Sequence, residues 1–151
     1  MEDYKRIMEL NATADQVFDA LSNKIPCWWT ELFEGSSNER YNTFTVRFGD
    51  SIYKTMQIAE ISPNTKLVWF ITDSLLGIPE LKNQTEWINT TIIWDIIPQG
   101  NVTILKLTHI GLSENVECYT ICSGGWQQFT DSLRSYIQFG KGYPFKAVKE
   151  D

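Results

Sequence analysis

The side chains that could do chemistry are few. His109 is the chain's only histidine, and Cys27, Cys118 and Cys122 are its three cysteines. Cys118 and Cys122 stand one helical turn apart, and with His109 they suggest zinc, which takes Cys and His ligands at such spacing. A fourth ligand is missing and the site would lie on an apolar stripe, so the pair reads as small buried thiols and no metal is expected. Cys27, beside Trp28 and Trp29, reads as core. His109 admits two readings: a polar contact or proton acceptor at a pocket, or a buried histidine bonded to a backbone carbonyl. One histidine without a placed nucleophile does not make an active site, so no catalytic residue is assigned. No carboxylate pair has a spacing that demands acid–base work, and there is no Gly-x-Ser-x-Gly elbow or phosphate loop. No cofactor is expected.

These residues must be positioned by the elements around them. "YKRIMEL" (4–10) reads as a strand, and "NATADQVFDALSN" follows as a helix capped by Asn11 or Thr13, with Val17, Phe18 and Leu21 on its apolar side. "IPCWWTELF" (25–33) opens with a proline and packs two tryptophans into a short turn or helix. "YNTFTVRFG" (41–49) alternates, with Phe44, Val46 and Phe48 on one face. Further β-rich runs cover 52–62, 66–74, 85–98 and 102–112, with turns at "GDS", "SPNT" and "PQGN" and a loop over 75–84. Consecutive hairpins give a meander, hence an antiparallel sheet. On 85–98, Trp94 shares a face with Ile88, Ile92 and Ile96. On the last strand Leu105, Leu107 and His109 share another.

The last segment changes period. Cys118, Cys122, Trp126, Phe129, Leu133, Tyr136 or Ile137, and Gly140 recur at threes and fours, which predicts one helix from about 115–117 to Phe139, ended by Gly140. Gly124 and Gly125 inside it each cost about 1 kcal/mol relative to alanine. A kink or the close approach of another backbone would explain them. Strand, helices, antiparallel strands, long helix: the order is α+β, with the helices on one face of a curved sheet. Sheet twist makes the middle of such an assembly gape, which is the physical ground for expecting a cavity.

Bulk properties narrow the partners. The 151 residues suit one domain, 1–151, and six Trp, six Tyr and eight Phe exceed what a small core needs. The net charge of −6 and the lack of any basic run argue against nucleic acid and against docking on anionic membranes. No apolar stretch is long enough for membrane insertion, and the opening "MEDYKRIMELNATADQ" has no apolar leader segment. A cytoplasmic location with reduced thiols is expected.

"LTHIGL" (107–112), "EISPNTKLVW" (60–69) and above all "GWQQFTDSLRSYIQFGKGYPF" (125–145) resemble the START-like, or SRPBCC, superfamily. The similar branch is the one named after the activator of the heat-shock protein 90 ATPase. The resemblance implies a helix-grip fold of about seven antiparallel strands wrapped around the long C-terminal helix, with two short helices after the first strand. It also implies an internal pocket, but no shared reaction. The expected function is the binding of a hydrophobic small molecule, lipid-like or aromatic, between sheet and helix. The alternatives are a pocket enzyme (a cyclase or hydrolase of an apolar substrate) and a module that contacts a chaperone or a second copy of the chain. The expected pocket residues are Trp126, Phe129, Leu133 and Ile137 from the helix and Trp69, Trp94, Phe44, Val46, Phe48, Leu105, Leu107 and His109 from the sheet. Tyr53, Tyr136 and Glu86 are further polar candidates.

Overall fold

The computed structural model describes residues 2–147. Seven antiparallel strands form one sheet: β1 (Tyr4–Leu10), β2 (Phe33–Gly35), β3 (Thr43–Arg47), β4 (Ile52–Ser62), β5 (Lys66–Leu76), β6 (Thr91–Gln99) and β7 (Val102–Ile110). Their spatial order is β1-β7-β6-β5-β4-β3-β2. The chain therefore leaves β1 at one edge, crosses through helices α1 (Ala14–Asn23) and α2 (Ile25–Trp28), enters at the other edge and meanders back until β7 pairs with β1. The long helix α3 (Tyr119–Phe139) then lies across the inner face.

Local chemistry explains the elements. Thr13 caps α1 in a full capping box with Gln16, satisfying donors at both ends of the first turn. Period-2 alternation holds in β3, where Phe44 and Val46 are buried, and in β7, where Thr103, Leu105, Leu107 and His109 are buried. Gly140 ends α3 in the left-handed conformation, its N–H bonded to the Tyr136 carbonyl.

Four expectations change. β2 has only three residues and no periodicity to announce it; Gly35 is required there because a Cβ would come 2.3 Å from the Thr43 carbonyl oxygen. The run 85–90 is β-branched yet not a strand: Asn89 takes φ 69°, and Ile88 and Thr90 donate back to the Thr85 and Trp87 carbonyls. Ile88 is thereby off the strand that carries Trp94. Regular helix starts at Tyr119, a little later than the apolar stripe suggests. A Cβ on Gly124 or Gly125 would meet nothing within 4 Å, so close backbone approach is not why they are there.

The centre of the grip is filled with indoles. Trp29 stacks on Trp28 at 5.5 Å and on Trp69 at 5.9 Å, with Trp126 at 5.2 Å; Trp94 meets Trp28, Trp69 and Trp126 edge-on. Such pairs add about 0.5–1.5 kcal/mol each beyond the area they bury. Polar pins hold α3 against this core. Arg6 on β1 reaches the Gln127 carbonyl, Thr130 and Asp131. Ser132 donates to the Trp28 carbonyl at 2.7 Å and accepts from the Tyr143 N–H at 2.6 Å.

Ser132 is buried, so its removal leaves a carbonyl and an amide without partners. Ser132→Ala is expected to cost about 2 kcal/mol, measured by urea denaturation.

Candidate functional site

One end of the interior is not filled. A cavity of about 270 Å³ opens between α3 and the β3–β5 side of the sheet. Ile121, Cys122, Gly125, Trp126, Gln128 and Phe129 of α3 form one wall; Phe48, Ile52, Lys54 and Leu76 form the sheet wall. Ile78, Trp87, Trp29 and Phe145 complete it. Ile121 and Gln128 are exposed and mark the rim. Gly125 contributes by lacking a side chain: the space beside its Cα is cavity.

Two tethers shape the mouth. The Glu86 carboxylate accepts the N–H groups of Glu117 and Cys118, both at 3.0 Å, where α3 has no side-chain cap of its own. Glu117 in return accepts from the Lys82 and Asn83 N–H groups at 3.0 and 2.8 Å, bonds that hold its carboxyl below its usual pKa. This reciprocal clasp binds the loop carrying Ile78 and Trp87 to the start of α3, and accounts for Glu86, expected as a ligand contact. On the other side Phe145 bridges to the chain beside Trp29: its N–H donates to the Trp29 carbonyl and its carbonyl accepts from Glu31. The Phe145 ring lies 5.7 Å from that of Phe48.

Among the described residues Lys54 is the one cation in the lining, and no Asp or Glu lines it. The side chain is 8% exposed. It points inward because β4 alternates: Lys54, Met56 and Ile58 share the buried face. Among the described residues its ammonium has no hydrogen bond or ion pair. Instead Nζ sits 4.4 Å from the Trp87 ring centroid and 4.6 Å from that of Phe48. Burial lowers its pKa to about 8, resisted by Cys122 and Cys118.

Those two sulfurs lie 2.7 Å apart at the first turn of α3. The hydrogen bond between them, with burial, raises the pKa of Cys118; the same bond, with the Trp87 indole N–H 3.2 Å from Sγ, lowers that of Cys122. Among the described residues no group of three His, Cys, Asp or Glu side chains is placed to hold a metal ion.

His109 is buried behind Trp126 and outside the cavity lining. The Trp126 indole, which can only donate, gives its N–H to His109 Nδ1 at 3.0 Å. That assigns the proton to Nε2, which meets Thr90 Oγ1 at 2.8 Å, and Thr90 donates to the Trp87 carbonyl at 2.6 Å. Both ring nitrogens are engaged, and the partners are an indole and a hydroxyl rather than a backbone carbonyl. Burial, then the nearby Lys54 charge, hold the imidazole neutral with a pKa of about 3. A catalytic part for His109 has no support in this geometry.

Of the residues expected at a pocket, Phe48, Trp126 and Phe129 line this cavity. Trp69, Trp94, Phe44, Val46, Leu105, Leu107 and Leu133 are packed in the core instead, where indoles occupy the space opposite them. Ile137 packs at the core's margin, two turns beyond the cavity. Tyr53 is on the outer face, donating to Asp73. Lys54 was missed, although an inward lysine in the alternation of 52–58 is a signal that the sequence carries.

A curved antiparallel sheet gripping a terminal helix, with a cavity at one end of the grip, is the helix-grip architecture of the SRPBCC proteins. The family model described as activator of Hsp90 ATPase homolog 1-like protein matches residues 11–138, and the chain belongs to that family. The Aha1 dimer from Colwellia psychrerythraea is similar over 94% of this chain and 100% of its own, at 22% identity and TM-score 0.74. DynU16, from the dynemicin biosynthetic locus, is similar over 97% of this chain and 51% of its own, at 15% identity and TM-score 0.70. CalU16 from Micromonospora echinospora is similar over 90% and 76%, at 18% identity and TM-score 0.64. At these identities the likeness is one of fold. No curated protein matches the chain significantly.

Two pH effects follow. The folded protein resists protonation of His109, so the unfolded chain binds the extra proton once pH drops below about 6.5. Stability should fall by about 1.4 kcal/mol per pH unit from there toward pH 3. Between pH 6.5 and 5 the sole histidine dominates the slope, and His109→Gln should flatten it in denaturant titrations. For Lys54 the folded pKa of about 8 lies below the 10.5 of the free side chain. The cost is full below pH 8 and relieved as pH rises to 10.5. The shift corresponds to about 3 kcal/mol, partly offset by the two ring contacts. Lys54→Met is therefore expected to stabilise the protein by about 2 kcal/mol at pH 7 and by little at pH 10.5, measured the same way.

Proposed function

We propose that this protein binds a compact hydrophobic small molecule, aromatic in character, in the cavity between α3 and the β3–β5 side of the sheet. The observation that carries this reading is the ring-walled space of about 270 Å³, left open beside a core of packed indoles. A dry cavity of about 150 Å³ holds benzene, and drug-sized sites begin near about 300 Å³. The space therefore suits one or two fused rings. A sterol or an extended lipid is too large for it, which narrows the lipid-like or aromatic ligand expected from the sequence. Family membership and the biosynthetic-locus setting of DynU16 agree with a small-molecule role. Carriage rather than turnover is the simpler role, because among the described residues the lining holds no carboxylate or histidine for acid–base work.

A second reading, contact with another copy of the chain, draws on the dimeric Aha1 structure and on an outward-facing patch of Ile7 and Ile97 with Ile104 between them on β7. Ile97→Glu would abolish a dimer seen by light scattering and leave a monomer unchanged.

The cavity reading is tested with the two helix glycines. Gly125→Leu puts a side chain into the cavity without meeting other atoms at its Cβ, while Gly124→Ala does not reach it. Both should raise stability by about 0.5–1 kcal/mol through helix propensity. Only Gly125→Leu should abolish binding of 2-naphthylmethanol, followed by tryptophan fluorescence. Binding that survives in Gly125→Leu would reject this cavity as the site.

A further inference from the structure

Lys54 poses a question that an apolar ligand leaves open. A lysine more than nine-tenths buried, with its ammonium turned into a cavity and no counter-ion among the described residues, destabilises the fold. Buried cations are ordinarily paired or hydrogen-bonded. The two aromatic faces that flank Nζ stabilise a cation but leave its N–H donors unused.

The neighbouring strand carries a second unsatisfied group. Ser74 is the cross-strand partner of Lys54 on β5, it is 1% exposed, and its hydroxyl has no hydrogen-bond partner among the described residues. The Lys54 ammonium faces the cavity while the Ser74 hydroxyl is buried behind the lining, and neither has an acceptor among the described residues. The groups that face Lys54 do not supply it. The Cys122 thiol donates to Cys118 Sγ, and His109 is neutral with both nitrogens engaged. Among the described residues no carboxylate lines the cavity.

We infer that the ligand is an aromatic acid: a flat apolar body of one or two rings whose carboxylate takes the Lys54 ammonium as its counter-ion. This rests on the cavity reading above and adds the charge of the ligand to it. The body fills the space beside Gly125, between Phe129 and Trp87. The carboxylate supplies the acceptor that the ammonium lacks, in a place where water is scarce and a charged hydrogen bond is strong. The lysine then serves as a selectivity device. A neutral ring of the same size leaves the ammonium unpaired, and an aliphatic ammonium is repelled.

The test compares 2-naphthoate with 2-naphthylmethanol, which share the ring system and differ in charge, by isothermal titration calorimetry at pH 7. The wild type should bind naphthoate at least tenfold more tightly. Lys54→Met should lose that preference and keep or improve its hold on the alcohol. In the wild type alone, naphthoate affinity should fall by up to about tenfold per pH unit above pH 8, as the free lysine loses its proton, while alcohol affinity stays level. This arm needs no variant to fold. Equal affinities for the two ligands, or a flat naphthoate profile from pH 7 to 10, would overturn the anion inference and leave the cavity reading standing. Binding of neither compound would count against both.

Discussion

A chain of hydrogen bonds runs from Trp126 through His109 and Thr90 to the Trp87 carbonyl, and the architecture of the cavity hangs on it. It joins the three parts that have to agree: the long helix, the last strand, and the turn before β6. Each donor meets one acceptor, and the indole's fixed role as donor sets the imidazole tautomer. Because the chain ends on Trp87, it also positions the ring that faces Lys54 and the N–H that reaches Cys122. Buried networks of this kind cost heavily when half satisfied and specify one arrangement when complete. Here the histidine supplies geometry rather than chemistry.

The interior divides between packing and emptiness in a way that sheet curvature alone does not dictate. A strongly curved sheet around one helix leaves room along its length. Five indoles take up that room at the centre, and two absences restore it at one end: the missing side chain of Gly125 and the short reach of Cys122. The walls of the remaining space are mostly rings and aliphatic groups, with one charge among the described residues. Stability works against that charge, and binding would work for it.

Much of the fold is legible in the residues, because backbone periodicity is a local property. Phe44 and Val46, the alternating face of β7 and the stripe from Cys122 to Leu133 all turn inward where their spacing says they must. What escapes is whatever depends on a distant partner. β2 exists because Phe33 finds Val46, and the run 85–90 bends because Asn89 adopts a positive φ that its β-branched neighbours do not announce. The site is less legible than the fold for a related reason. Periodicity gives the direction of Trp69, Trp94 or Leu105, but whether the space opposite is empty depends on the volumes of residues far away in sequence, Trp28 and Trp29 above all. Lys54 was the readable exception, a charge written into an apolar alternation.

The pairing of the first strand with the last has a consequence for biogenesis. Tyr4 lies opposite His109, so β1 finds its partner only after more than a hundred further residues have been synthesised. Contacts so distant in sequence slow folding, typically to about milliseconds to seconds in sheet-rich domains. Until β7 arrives, the growing meander presents an unpaired edge and its apolar inner face to the crowded cell. A nascent chain in that condition is a natural client for protection as it leaves the ribosome.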